Sequence, residues 1–238
     1  KSVKEELECI RKWHQNHGFH GGLVVRELTQ PLYYNDNNIV EGGDDVESIP
    51  IHQLNQRECY YLYYEVRPDG QVRQQIFCRG TTLTADVWTG LQSMLMYTYD
   101  DELECSLHKG FHDHATRLLE DLQPLLVSPP DSGTIHKRAT VELCGHSLGG
   151  AVAIIMACKL QKRGYNVVRV TTVGAPRVCK WDAVPVLAKL LPKDTLRIEH
   201  ELDAVCYLPP KGKGLFFRES LPYVGNKLLF ISKDTDFA

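Results

Sequence analysis

The chain has 238 residues, of which 43% are hydrophobic and 24% charged, a composition typical of a globular protein with a sizeable core. Its 27 Lys and Arg residues against 30 Asp and Glu give a net charge of -3, and no basic stripe is interleaved with aromatic residues, which argues against nucleic acid as a partner. The longest uninterrupted apolar run, 151–158, is far shorter than the ~20 residues of a membrane-spanning helix.

The N-terminal part of the chain predicts one helix, one loop and one hairpin. Residues 2–16 place apolar side chains at helical spacing and predict a helix that packs on the core. Residues 30–55 are rich in Asn, Asp, Gly and Pro and predict a long loop. The aromatic and β-branched runs 58–66 and 71–77 flank the turn 67–70 and predict a β-hairpin.

From residue 109 onward the sequence predicts strands that alternate with helices. The helices are expected over 109–127, 148–162 and 181–191, and the strands over 139–144, 167–173 and 195–200. Such alternation predicts an α/β fold, in which a largely parallel sheet is covered by helices on both faces. We find no domain boundary, so residues 1–238 are expected to form a single domain.

The strand predicted over 139–144 leads into Gly145-His146-Ser147-Leu148-Gly149 and then into a helix of small residues. A Gly-x-Ser-x-Gly motif between a strand and a helix predicts a sharp turn that presents the serine at the carboxyl end of the sheet. The helix dipole beside it would favour developing negative charge. The His146 side chain is expected to project away from the face of the serine and to support the turn.

Acyl transfer through a serine also requires hydrogen-bond donors for the oxyanion. One donor is expected to be the backbone N–H of Leu148, which follows the serine, and the second should come from a separate loop at a strand end. Thr81, in the turn Arg79-Gly80-Thr81, is the candidate for that second donor. From spacing alone, a turn without this role is an equal alternative.

An acidic residue is expected to orient the catalytic base. Asp203 follows the strand predicted over 195–200 and comes after the serine, in the order Ser, acid, His of serine hydrolases with this turn. Glu201 is the competing acid, and a solvated turn carboxylate is the alternative for both residues.

Five segments carry a family resemblance. They are Phe77-Cys78-Arg79-Gly80-Thr81, His108-Lys109-Gly110-Phe111, Gly145-His146-Ser147-Leu148-Gly149-Gly150-Ala151, Val173-Gly174-Ala175-Pro176-Arg177 and Asp203-Ala204-Val205-Cys206-Tyr207-Leu208-Pro209-Pro210. Together they resemble the class 3 lipases, which are triacylglycerol lipase-like members of the α/β-hydrolase fold. The resemblance covers roughly residues 57–230 and implies an α/β-hydrolase domain with Ser147 as the nucleophile, Asp203 as the acid, and Thr81 with Leu148 as the oxyanion hole. It also implies a lipid ester as substrate and cleavage through an acyl-serine intermediate.

The reaction also needs an imidazole that takes the serine proton, yet no histidine follows His200 in this sequence. Three interpretations follow. The first is that the chain is truncated at its C-terminus before the base. The second is an unusual base among the ten histidines present, of which His200 is nearest in sequence to the acid. The third is a catalytically silent lipase-like interaction or signalling module.

Two segments suggest contact with lipid. Residues 85–101 carry many apolar side chains and could form a lid, although burial against the sheet is the favoured alternative. The basic and aromatic loop 211–218 could touch an anionic membrane, although flexibility alone would explain its glycines.

Metal and cofactor chemistry is not implied by the sequence. The 8 cysteines include no C-x-x-C pair, and disulfides and free buried thiols are both open for them. His108, His112 and His114 invite a metal interpretation, but packing or solvated roles are favoured for them. No cofactor and no metal are therefore predicted.

Overall fold

The computed structural model describes residues 21–27, 34–35, 38–39, 45–48, 60–66, 71–80, 96–127, 139–200, 202–208 and 226–230. The helices are α1 (Lys109–Leu122), α2 (Leu148–Lys162) and α3 (Val184–Leu190), with short 3₁₀ turns at Gln123–Leu125, Trp181–Ala183 and Ala204–Tyr207. The strands are β1 (Gly21–Glu27), β2 (Tyr34–Asn35), β3 (Asn38–Ile39), β4 (Asp45–Ser48), β5 (Tyr60–Val66), β6 (Val72–Cys78), β7 (Tyr97–Asp100), β8 (Cys105–His108), β9 (Ala139–His146), β10 (Val167–Val173), β11 (Asp194–His200) and β12 (Asn226–Phe230).

The main sheet contains strands in the order β12-β11-β10-β9-β6-β5-β1-β4. The pairs from β6 through β9, β10 and β11 to β12 are parallel, whereas β5 is antiparallel to β6 and β4 is antiparallel to β1. Because parallel strands end on the same side, the segments that follow β6, β9, β10 and β11 meet at one edge of the sheet. The predicted α/β fold with a mostly parallel sheet is confirmed.

The core lies between this sheet and α2. Alternate residues of β6 and β9 are buried, as expected for strands with one face toward the core. α2 is apolar on all sides and buried over most of its length, because it packs on β6, β9 and β10 with one side and on α1 with another. α1 is amphipathic and turns its buried residues, including Phe111 and Leu119, to the core.

Several predicted elements are present in the structure. α2 and β10 have the predicted bounds, and β5 with β6 forms the predicted hairpin, in which Val66 lies opposite Val72. Two predicted helices are shorter than expected, because a 3₁₀ turn with Pro124 ends α1 and another precedes α3. Proline lacks the N–H that a continuing helix needs, which explains the end of α1.

The loop predicted over 30–55 was wrong in part. β2 pairs with β3, and β4 adds to the sheet beside β1, a strand that the sequence analysis did not predict. β4 pairs with residues about 20 positions earlier in the chain, and β2 and β3 have only two residues each, so local composition reveals neither pairing. The helix predicted over 2–16, residues 85–95 of the possible lid and the basic loop 211–218 lie outside the described residues.

The six described cysteines are Cys78, Cys105, Cys144, Cys158, Cys179 and Cys206, and all are free thiols. Five of them are buried, so the structure favours free thiols over disulfides for this part of the chain. Within the described ranges, none of the helices combines the length and apolar character that a membrane crossing requires.

Candidate active site

The turn between β9 and α2 holds Ser147 in an unusual backbone conformation. Ser147 has φ 53° and ψ −127°, a region that residues with a side chain rarely adopt and that costs about 1–3 kcal/mol. Its backbone N–H donates to Val173 O at 2.9 Å, and its carbonyl accepts from Gly150 N at 2.9 Å. The end of β10 and the first turn of α2 thus hold the serine in this conformation.

Glycines around Ser147 allow three backbones to approach each other closely. A Cβ atom on Gly145 would overlap the Gly149 carbonyl, and one on Gly149 would overlap the Cys78 carbonyl and lie 2.6 Å from Arg79 O. No side chain fits in either place. Backbone contacts within the turn and with the end of β6 therefore require glycine at both positions.

The turn after β6 lies directly against Ser147. A Cβ atom on Gly80 would lie 3.4 Å from Ser147 Cβ and 2.9 Å from His146 O. Thr81, the predicted second oxyanion donor, follows Gly80 but lies outside the described residues. Leu148 is the first residue of α2, where a backbone N–H has no carbonyl partner within the helix.

The half-buried Asp203 lies at the start of the 3₁₀ turn after β11. Its Oδ1 accepts from Val205 N at 2.9 Å, its Oδ2 lies 3.6 Å from Cys206 Sγ, and its own N–H donates to His200 O at 3.1 Å. Gly174, at the end of β10, has φ +57°, and a Cβ atom there would lie 2.7 Å from Asp203 Oδ2. The carboxylate consequently rests against the backbone of the strand next to the serine.

The imidazole of His146 lies between the two turns. Its Nδ1 is 3.3 Å from the position of a Cβ atom on Gly80, and its Nε2 is 3.8 Å from the equivalent position on Gly174. The expected supporting role of His146 stays a prediction. The structure adds that the ring lies at the same edge of the sheet as Ser147 and Asp203.

Buried charges that the sequence analysis did not single out support the Asp203 side of the site. Arg197 and Glu199 are 3% exposed and form an ion pair of 2.9 Å, while Arg197 Nη2 also donates to Ala175 O at 2.9 Å. Arg177 donates from Nη1 to Tyr207 O at 2.8 Å. Two charges of opposite sign at positions i and i+2 share one face of a strand, and this pattern could have revealed the pair.

A family comparison bears on this arrangement. The family model described as lipase (class 3) matches residues 75–213, which include β6, the serine turn and Asp203. The chain belongs to the class 3 lipase family. The α/β-hydrolase fold expected from the resemblance is the fold of this family, and the parallel strands with the serine turn between β9 and α2 agree with it.

Solved lipase structures are similar to this member of the class 3 lipase family over part of their length. Lipase II from Rhizopus niveus is 24% identical, with 58% of this chain and 52% of that chain covered and a TM-score of 0.49. Lip2 lipase from Yarrowia lipolytica is 26% identical, with 59% and 54% covered and a TM-score of 0.45. The chain spans about half the length of these structures.

The structure does not bring His200 to Ser147. His200 is exposed at the end of β11, and its Nδ1 accepts from Leu202 N at 3.2 Å. β11 is the second strand from β9, so roughly 10 Å separate the two strands at the usual spacing of ~4.8 Å. Glu201, the competing acid, lies outside the described residues.

The three other candidate histidines occupy packing or surface positions. His108 is buried and stacks on Phe111 with ring centroids 4.2 Å apart. His112 Nε2 lies 2.8 Å from Asp100 Oδ2. Burial, followed by the charge of Arg117, lowers the pKa of His114. Within the described part of the chain, no group of three or more His, Cys, Asp or Glu residues is arranged to hold a metal ion.

Proposed function

We propose that this class 3 lipase family member is a serine hydrolase that cleaves carboxylic esters of lipids, with Ser147 as the nucleophile. The carrying observation is the strained backbone of Ser147, φ 53°, at a sheet edge where the turns after β6, β10 and β11 converge. Strain of this kind persists only where the surrounding structure enforces it, and it concentrates at catalytic positions. Family membership supports the lipid ester as substrate class.

In the proposed reaction, Ser147 Oγ attacks the ester carbonyl carbon while its proton passes to an imidazole. The carbonyl electrons move to the oxygen, and the N–H of Leu148 and a donor from Thr81 stabilise the oxyanion. Collapse of this intermediate expels the alcohol, which takes the proton from the imidazolium, and leaves an acyl-Ser147. Water then repeats the sequence and releases the fatty acid.

Asp203 is proposed to hold the imidazole in the productive tautomer and to stabilise its positive charge. Its placement supports this role, because the half-buried carboxylate lies at the end of β11 against Gly174, beside the strand that carries Ser147. The local contacts of His200 and its distance from β9 favour a different histidine as the base. Substitution of His200 by Asn tests this directly and should leave turnover within about twofold.

The proposal is tested with a fluorophosphonate probe and peptide mass mapping, on the 238-residue chain and on the longest chain that the gene encodes. We expect labelling at Ser147 in a chain that holds the base, and loss of both labelling and ester hydrolysis in Ser147→Ala with the fold intact. Unchanged hydrolysis by Ser147→Ala would contradict the role of this serine. A folded, full-length protein that is neither labelled nor active would instead support the silent interaction module.

A further inference from the structure

Both carboxylate oxygens of Asp203 have a hydrogen-bond donor from the same 3₁₀ turn. The backbone N–H of Val205 serves Oδ1 at 2.9 Å, and the Cys206 thiol lies 3.6 Å from Oδ2. Cys206 has no exposed surface. The thiol therefore contacts the carboxylate from its buried side.

The Cys206 thiol keeps its proton at neutral pH. Burial first, and then the negative charges of Glu199 and Asp203, raise its pKa to about 12. A thiolate would repel the carboxylate, whereas the neutral S–H can only donate to it. The direction of the hydrogen bond is thus fixed from Cys206 to Asp203.

The same oxygen is confined on its other side. Oδ2 lies only 2.7 Å from the position that a Cβ atom on Gly174 would take, closer than a real Cβ atom allows. With the thiol on one side and the strand backbone on the other, the side chain of Asp203 has little freedom to rotate. An ionised carboxylate accepts about four hydrogen bonds, so these two donors leave acceptor positions for an imidazole N–H.

We propose that Cys206 is a positioning residue, whose S–H donates to Asp203 Oδ2 and holds the carboxylate in the orientation in which it accepts the N–H of the catalytic imidazole. This rests on the proposed function of Asp203. A thiol is a weak donor, so it fixes the side chain while it leaves most of the negative charge available to the imidazolium.

The contact itself is tested by infrared spectroscopy of the S–H stretching band, which moves to lower frequency as the hydrogen bond strengthens. The difference between wild type and Cys206→Ala isolates the band of Cys206. We expect this band to move to higher frequency in an Asp203→Asn background, because an amide oxygen accepts less strongly than a carboxylate. The matched control is Cys158, also fully buried, whose S–H faces Leu187 O at 3.9 Å and whose band should not move.

The positioning role is tested by ester hydrolysis with the full-length protein. We expect Cys206→Ala to lower kcat about fivefold with an unchanged KM, since the net loss of one hydrogen bond is worth about that factor. Cys206→Ser keeps a donor and should recover most of the rate. If Cys206 only filled space, the serine variant would be no better than alanine, because it buries a hydroxyl in place of sulfur. Cys158→Ala removes the same volume elsewhere and should keep the wild-type kcat.

The outcomes separate this proposal from the proposed function. The positioning role is overturned if Cys206→Ala keeps the wild-type kcat, or if the Cys206 S–H band has the same frequency in the Asp203→Asn background. Neither result contradicts Ser147 as the nucleophile. An unlabelled, inactive wild-type protein overturns the proposed function, and the positioning role in catalysis with it. The infrared shift would then show only whether the thiol holds the carboxylate.

Discussion

Gly174 and Asp203 touch across the ends of β10 and the turn after β11, because a Cβ atom on Gly174 would lie 2.7 Å from Asp203 Oδ2. Gly174 also has φ +57°, which costs about 1–2 kcal/mol for a residue with a side chain. Gly174→Ala should therefore lower both the free energy of unfolding and kcat, the latter by more than tenfold because the carboxylate is displaced. Urea unfolding and ester hydrolysis measure the two effects.

Gly164 supplies the matched control for this change. It has φ +87°, is exposed and lies in the turn after α2, roughly 20 Å from the end of that helix that follows Ser147. Gly164→Ala should lose a similar amount of stability and keep the wild-type kcat. Equal activity of the two alanine variants would show that the Gly174 contact does not place Asp203.

The strain at Ser147 predicts an unusual response to glycine. Ser147→Gly should be more stable than Ser147→Ala by about 1 kcal/mol, because glycine adopts φ 53° without the steric cost while alanine does not. Both variants should be inactive. Their midpoints of urea unfolding give the comparison.

Ser106, in β8, has regular strand geometry and provides the reference pair for that measurement. There glycine should be less stable than alanine by about 0.5–1 kcal/mol, since glycine loses more backbone entropy on folding. The sign of the glycine–alanine difference should thus be opposite at the two serines. The same sign at both would mean that the Ser147 conformation carries no strain in solution.

The serine turn and the strands that lead to it could be predicted because their determinants are local. Gly145 and Gly149 flank the serine in the chain. The fifteen residues of α2 are mostly small or apolar, and most of them are buried in the structure. The charged support of the site could not be predicted in the same way. Arg197 donates to Ala175 O, which is 22 residues away in the chain, and Arg177 donates to Tyr207 O, which is 30 residues away.

The buried pair Arg197 and Glu199 predicts strong non-additivity. Removal of one partner leaves a buried charge without its counterion, so Arg197→Met should cost about 3–5 kcal/mol of unfolding free energy. The double variant with Glu199→Met should cost much less than the sum of the single changes. Arg169 and Asp194 join the neighbouring strands by an exposed contact of 2.6 Å, and Arg169→Met should cost no more than about 1 kcal/mol. Additive costs at 197 and 199 would contradict the pairing.

A buried network of charges around Lys159, near the C-terminal end of α2, predicts a pH dependence of stability. Lys159 contacts Asp100 Oδ2 and lies 3.2 Å from Glu102 Oε2, with 5% of its side chain exposed. Burial alone would raise the pKa of Asp100, but the hydrogen bonds from Lys159, the Leu103 N–H and His112 outweigh it and hold the pKa below its ordinary value of 3.8. The contribution of Asp100 to stability is therefore present above pH 3.8 and is lost as the pH falls through its lower, folded-state pKa.

Lys159→Met should consequently destabilise the protein strongly at pH 7 and less at pH 3, because a protonated Asp100 no longer needs a cation. Urea unfolding of wild type and variant at both values measures the difference. Lys162 lies on the same helix, and its contact with Glu104 at 3.4 Å is exposed, so Lys162→Met should change stability little at either pH. If the cost of Lys159→Met were the same at pH 7 and pH 3, the lost packing of the lysine chain would explain it and the charge of Asp100 would not.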